Sequence, residues 1–148
     1  KTPIPRRRSK KNAALPKRTR PSRSARGSNS LPVIRTNLTK LLTEINSQED
    51  IAIDAWRRPV TAASNRSERA SQYIGVSRNG YNWQVLINFN YCKKYVGTYP
   101  TEKQAAIVYD FYSITFHGLK AKTNFSYGKM IITDMIQSYL DGTNEFKP

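Results

Sequence analysis

A change of hydrophobic period between residues 73 and 118 constrains the fold more than any other feature of the sequence. Residues NWQVLINF alternate apolar side chains on one face with Gln84, Leu86 and Asn88 on the other, the period of a strand covered on one side. The predicted strands are residues 73–78, 82–89 and 92–99, with turns at 79–81 and 90–91. Such short turns predict an antiparallel meander.

An amphipathic helix is expected directly after this sheet. Pro100 ends the last strand, and Thr101 is suited to cap a helix that begins at Glu102. Gly118 is a natural residue at which to end that helix. Its apolar side is formed by Ala105, Ala106, Val108, Tyr109, Tyr112 and Phe116. Because short strands are unstable alone, the helix should cover the apolar face of the sheet.

The flanking segments carry helical patterns of their own. Asn37 can cap a short helix, and Ser47 with Asp50 resembles a capping box that opens a second helix ending before Pro59. Residues 129–140 predict a further amphipathic helix. The predicted organisation is a basic arm (1–32), two short helices (33–60), a linker (61–72), the sheet domain (73–125) and a C-terminal helix (126–148). The fold class is α+β: a three-stranded antiparallel sheet packed on one helix, with flanking short helices and a disorder-prone basic arm.

The net charge of +15 is concentrated at the start of the chain. Residues 1–30 hold eleven Lys or Arg and no acid, and their prolines argue against an amphipathic helix. Nucleic acid is the commonest polyanion that binds such an arm, and an anionic membrane surface is the rarer alternative. The predicted nucleic-acid contacts in the arm are Arg6, Arg7, Arg8, Lys10, Lys11, Lys17, Arg18, Arg20, Arg23 and Arg26.

The sequence lacks the residues that catalysis or metal binding requires. The single cysteine, Cys92, and the single histidine, His117, exclude a disulfide framework and a Cys/His metal cluster. There is no Gly-rich phosphate loop and no apolar run of the ~20 residues that a spanning helix needs. We therefore predict no enzyme activity, no cofactor, no metal, no small-molecule substrate and no membrane partner.

Five motifs in residues 73–125 resemble those of a known family. The motifs YIGV, the strand that contains Trp83, YVGTY, TEKQAAIVYD and HGLKAKTNF occur in the order and spacing of the Apetala2/ERF (ethylene-response-factor) domain, which the segment resembles. That domain is found in plant transcription factors and, as a DNA-binding accessory, in some mobile elements. The resemblance implies a three-stranded sheet on one helix, with the other face of the sheet in a DNA major groove.

The resemblance weakens at the positions that read bases. The family uses arginines and tryptophans on the exposed face of the sheet, and at matching positions this chain has Ile74, Ser77, Leu86 and Asn88. The matches that survive are Arg78, Lys93 and Tyr95, the last where the family has tryptophan. From these replacements we predict that the sheet no longer selects a DNA sequence.

The remaining candidates on the sheet each have two readings. We predict that Arg78, Lys93, Lys94 and Tyr95 contact nucleic acid. The two lysines could form a solvated hairpin edge instead, and Tyr95 could lie against Leu86 as ordinary cross-strand cover. Leu86 beside Tyr95 predicts a protein contact. In the motif HGLKAKTNF, the resemblance gives the two lysines, Lys120 and Lys122, a structural role, and phosphate contact is the alternative.

Two functions follow from this reading. The lost arginines and the long arm favour a structural RNA-binding component of a ribonucleoprotein, such as a mitochondrial ribosome, with RNA favoured over DNA and protein neighbours in a large assembly. Its location would be the mitochondrion or another ribosome-containing compartment. The alternative is a sequence-specific regulator of transcription that binds double-stranded DNA in the nucleus.

Overall fold

A computed structural model describes residues 30–57, 70–142, 146 and 148 of the chain. The helices are α1 (Ser30–Asn46), α2 (Glu102–His117) and α3 (Lys129–Asp141), and a short 3-10 helix spans Gly118–Lys120. The strands are β1 (Ala52–Ile53), β2 (Val76–Asn79), β3 (Asn82–Phe89), β4 (Cys92–Tyr99) and β5 (Tyr127–Gly128). No helix among these residues is long and apolar enough to cross a bilayer.

The predicted sheet is present, with strand order β2-β3-β4 and antiparallel pairing throughout, but its first strand begins at Val76 and not at Tyr73. Gly80 makes the first turn with φ +63°, a conformation that glycine adopts without steric cost. Val76, Val85 and Ile87 point to one side, where they are buried. The α+β fold class is therefore confirmed.

The ends of α2 are also where the sequence predicts them. The Thr101 side chain accepts a hydrogen bond from the Gln104 backbone N–H at 3.2 Å, so it caps the helix. Gly118 ends the helix with φ +62°, and its N–H donates to the Ile114 carbonyl. Among the described elements, α2 contacts β2, β3 and β4 from the side of the buried valines and isoleucine.

A second helical layer lies on the other side of α2. Helices α1 and α3 contact each other, and α1 contacts α2. Phe111 of α2 is at the centre of this layer, where its ring stacks on Phe146 at 4.3 Å between centroids and lies 5.2 Å from Tyr139. Helix α2 is thus buried on two sides, one more than its amphipathic pattern indicates.

The second of the two predicted short helices is not formed. Residues 47–57 contain β1, which pairs antiparallel with β5, and a bridge from Ala55 to Thr123. The Trp56 backbone N–H donates to the Thr123 carbonyl at 2.8 Å. The local capping signal at Ser47 was misleading because pairing with the distant segment satisfies the backbone in an extended form.

Helix α1 is longer than predicted at its start. It begins at Ser30, within the segment assigned to the arm, and Asn37 lies inside it instead of capping it. Ile34 is buried and continues the stripe of Leu38 by one turn. Pro32 is tolerated because it stands in the first turn, where no helical hydrogen bond is lost.

Candidate nucleic-acid interface

The side of the sheet opposite α2 carries the side chains that alternate with the buried ones. On β3 these are Gln84, Leu86 and Asn88, the middle row of the sheet. Strand pairing puts Ser77 and Thr98 on either side of Gln84. We call this surface the outer face, and its residues are Ser77, Gln84, Leu86, Asn88, Lys93, Tyr95 and Thr98.

A β-bulge shapes the β4 edge of the outer face. The pairing shifts between Val85 and Leu86, so that Leu86 is opposite Tyr95 while Gln84 is opposite Thr98. In a regular strand, residues 95 and 98 would point to opposite sides, and the extra residue brings them to the same side. The Tyr95 and Thr98 hydroxyls accordingly lie 2.6 Å apart and share a hydrogen bond.

Hydrogen bonds also orient the β2 edge of the outer face. The Gln84 side-chain Nε2 donates to Ser77 Oγ at 2.9 Å. An amide nitrogen has two N–H groups, so one N–H and the amide oxygen are left for a ligand. Both edges of the outer face therefore present polar groups whose orientation is set before anything binds.

The structure separates the basic residues that the sequence predicts on the sheet. Lys93 is opposite Asn88 and is exposed on the outer face. Lys94 is opposite Ile87, on the α2 side, where its Nζ lies 5.0 Å from the centre of the Phe89 ring. Only Lys93 of these two lies beside Tyr95 and Leu86 on the outer face.

Arg78 also lies away from the outer face. It is opposite Trp83, so it belongs to the row of β2 that faces α2, and its Nε donates to the Gly80 carbonyl at 3.3 Å. Its side chain is exposed at the end of the hairpin. The predicted contacts of the arm, from Arg6 to Arg26, lie outside the described residues.

The sequence reading overlooked the amides of the outer face. It treated Asn88 and Ser77 as positions where arginine had been lost, and it assigned no role to Gln84. The signal was available, because the period of two puts both amides on the face opposite Val85 and Ile87. Amide side chains are among the groups that can pair with base edges in the major groove.

A buried carboxylate holds the outer face in position. Asp110 of α2 accepts hydrogen bonds from the Asn124 backbone N–H at 2.7 Å and its Nδ2 at 2.9 Å, the Phe125 N–H at 3.0 Å and the Tyr127 hydroxyl at 2.9 Å. Burial raises the pKa of Asp110 to about 6, while these hydrogen bonds lower it. Asn124 Oδ1 in turn accepts the Ile74 N–H at 2.6 Å, so the network joins α2 to the start of β2.

A basic cleft of about 480 Å³ lies apart from this network, lined by residues 52–57 and 119–122. Lys122 Nζ is 5.2 Å from the centre of the Trp56 ring. Lys120 and Arg57 are exposed in the same lining, and Asp54 offsets part of their charge. The cleft is a second candidate for phosphate contact, the alternative role of the two lysines.

The described residues contain no group of three or more His, Cys, Asp or Glu that could hold a metal ion. Cys92 and His117 are both exposed, one at the start of β4 and the other at the end of α2. Both oxygens of Asp110 are occupied by donors. This carboxylate is therefore placed to support the fold.

The chain is similar to known proteins although no protein-family model matches it. It is 34% identical over 113 residues to the AP2-like ethylene-responsive transcription factor At1g16060 of Arabidopsis thaliana. The aligned region covers 73% of this chain and 32% of that protein. It is 38% identical over 80 residues to PLT2 of the same species, an alignment that covers 51% of this chain and 14% of PLT2. It is 37% identical over 112 residues to AIL7, also of that species, with 71% of this chain and 22% of AIL7 covered. Both are named as AP2-like ethylene-responsive transcription factors. The chain thus spans about a third or less of the length of these relatives.

These relatives correct the main function predicted from the sequence. All three are named as transcription factors, so the prediction of an RNA-binding ribonucleoprotein component, with RNA favoured over DNA and protein neighbours in a large assembly, is wrong. The predicted mitochondrial location is not supported either. The error arose because replaced arginines were equated with loss of base reading, although other side chains can pair with bases.

Proposed function

We propose that the Apetala2/ERF-type domain of this chain, at residues 73–125, makes the protein a sequence-specific regulator of transcription that binds double-stranded DNA in the nucleus. The single observation that carries the proposal is the outer face itself. It presents oriented polar groups on a rigid sheet whose opposite side is covered by α2. The naming of the relatives as transcription factors supports both the partner and the compartment.

The size of the outer face suits the major groove of DNA. A major groove about 12 Å wide admits a two-stranded β-ribbon, and neighbouring strands are about 4.8 Å apart. Strands β3 and β4 can therefore enter the major groove side by side, with Gln84, Leu86 and Asn88 directed at base edges. Lys93 at the β4 edge is placed to contact a phosphate, which positions the sheet without specifying sequence.

The basic arm supplies affinity that does not depend on sequence. Its eleven Lys and Arg between residues 1 and 30 release counterions when they meet phosphates. Contacts of this kind hold a protein on DNA and let it slide to a site. The arm contacts predicted from the sequence, Arg6 to Arg26, are retained here as phosphate contacts to DNA.

The proposal assigns no catalytic step to the protein. Asp110 is the buried carboxylate of the domain, and its hydrogen bonds to four donor groups leave it no role as an acid or base. Asp110 instead holds β2 on α2. The proposed function needs binding alone.

The test is selection of ligands by the full chain from a pool of randomised duplexes, in parallel with a pool of randomised RNA, at physiological salt. We expect a reproducible duplex motif and weaker retention of every RNA. Lys93→Ala should weaken binding to all duplexes alike and lower the log-log salt slope by about 0.9. Lys40→Ala is the matched control, because Lys40 is exposed on α1, on the far side of α2. Absence of a duplex motif, or an RNA bound more tightly than any duplex, would contradict the proposal.

A further inference from the structure

We propose that the outer face reads A·T base pairs, with Gln84 and Asn88 pairing to adenine and Leu86 with Tyr95 contacting a thymine methyl group. This inference rests on the proposed function and adds the base composition of the site. It follows from the chemistry of the row on β3, which has the order amide, apolar, amide.

The amides match adenine in the major groove. Adenine presents the N7 acceptor and the N6 amino donor, and Asn or Gln pairs with both through its N–H and its carbonyl oxygen. Guanine presents two acceptors, for which arginine or lysine is the complementary donor. Within the described residues, Lys93 is the cation of the outer face, and it lies at the β4 edge. The centre of the face therefore favours adenine over guanine.

The Ser77 hydroxyl prepares Gln84 for this pairing. It accepts one Nε2–H of Gln84 at 2.9 Å, which holds the amide in a single orientation across β2 and β3. The second N–H and Oε1 are the donor and acceptor that adenine requires. Orientation before binding lowers the entropy lost when the complex forms.

Leu86 and Tyr95 provide an apolar surface between the two amides. They are cross-strand partners, Leu86 is half-buried, and the Tyr95 side chain is 61% exposed. The hydrogen bond between Tyr95 and Thr98 places the tyrosine hydroxyl along β4 and leaves Leu86 next to the ring. The thymine methyl is the apolar group that a base pair presents in the major groove. DNA thus replaces the protein neighbour that Leu86 was predicted to contact.

Strand geometry sets the spacing of the contacts. Outward side chains repeat about every 6.6 Å along a strand, so Gln84 and Asn88 are about 13 Å apart along β3. A strand that follows the groove also winds around the DNA axis and travels further per base pair than the axial rise of about 3.4 Å, so this distance spans about three steps. The expected site has two adenines about three base pairs apart with a thymine between them.

Selection with the full chain tests the composition of the site. We expect a motif rich in A·T with this spacing. Gln84→Ala and Asn88→Ala should each relax one adenine position, by about 5- to 150-fold in relative affinity, the range for one bidentate base contact. Asn88→Arg should change its position from adenine to guanine. Gln137→Ala on α3 and Asn46→Ala at the end of α1 are matched controls, since both are exposed amides outside the sheet.

Base analogues test the same contacts with the unaltered protein, so they do not depend on the folding of a variant. 7-Deazaadenine, which lacks the N7 acceptor, should weaken binding at the two adenine positions and at no other adenine. Deoxyuridine lacks the thymine methyl and should weaken binding about fourfold at the central position. That loss should disappear in Leu86→Ala.

The outcomes separate this inference from the proposed function. A G·C-rich motif, or an A·T-rich motif insensitive to Gln84, Asn88 and the analogues, overturns the inference and leaves a sequence-specific DNA binder. Failure to select any duplex motif overturns both. Adenine preference that follows the two amides supports both.

Discussion

Gly75→Ala tests how the start of β2 packs against α2. Gly75 has φ +72°, and a Cβ at this residue would overlap two ring carbons of Tyr109 and lie 2.9 Å from the Leu86 carbonyl oxygen. The Gly75 carbonyl also accepts the Leu86 N–H at 2.9 Å. A larger residue must therefore strain its own backbone and displace either the ring of Tyr109 or β3.

The cost is the sum of two terms. The left-handed backbone costs an alanine about 1–2 kcal/mol relative to glycine. Displacing a packed ring costs about 1–3 kcal/mol more, the usual penalty for overpacking. We expect Gly75→Ala to lower the free energy of unfolding by about 2–5 kcal/mol and to weaken DNA binding, because β3 carries the middle row of the outer face.

Two other glycines separate these terms. Gly80 has φ +63° and no atom within 4 Å of its Cβ position, so Gly80→Ala should cost the backbone term alone. Gly128 has φ −85° and equally open surroundings, but it is the N-cap of α3, so Gly128→Ala should change stability by no more than about 1 kcal/mol, because the poorer cap is partly offset by the lower entropy of the unfolded chain. Urea unfolding followed by tryptophan fluorescence measures all three. Tyr109→Ala should restore part of the loss in Gly75→Ala. If Gly75→Ala costs no more than Gly80→Ala, the contact with Tyr109 is not as described.

Three further predictions follow from a buried acid, a buried hydroxyl and the arm. The pKa of Asp110 in the folded protein, about 6, is above its ordinary 3.8, so the stability that this group contributes is full below about pH 4 and is lost, by about 3 kcal/mol, as the pH rises through 6. Urea unfolding from pH 4 to 7 should show this fall in the wild type and not in Asp110→Asn, and the same pH dependence in the two proteins would refute it. Tyr139 Oη is buried without a hydrogen-bond partner among the described residues, so Tyr139→Phe should leave the stability unchanged or raise it by up to about 1 kcal/mol. Thermal unfolding measures this, and a clear loss of stability in Tyr139→Phe would contradict the reasoning. Deleting residues 1–29 removes eleven cations and should make duplex binding much less dependent on salt, because each phosphate contact contributes about 0.9 to the slope of log affinity against log salt concentration. A salt titration with unchanged slope would reject a role for the arm.

The outer face was partly readable from the sequence. The alternation in β3 placed Leu86 and Asn88 opposite the core, and it placed Tyr95 beside Leu86, as the structure has them. The same alternation puts Lys94, which lies between Lys93 and Tyr95, on the α2 side. It also puts Arg78 there, two residues after the buried Val76, but it was not applied to either of these basic residues. The function assigned to the face was wrong for a chemical reason: it was judged by absent arginines and not by the amides present.

Local pattern was sufficient for the sheet and for α2, since a strand repeat, a capping threonine and a terminal glycine act over a few residues. Long-range contacts settled the remainder. The pairing of β1 with β5 replaced a helix at 47–57, and it joins a segment that follows α1 to one that precedes α3. The bulge that turns Tyr95 and Thr98 to one side has the same origin, since it depends on how β4 fits both β3 and the core beneath it. Such choices arise from residues far apart in the chain, so no local repeat encodes them.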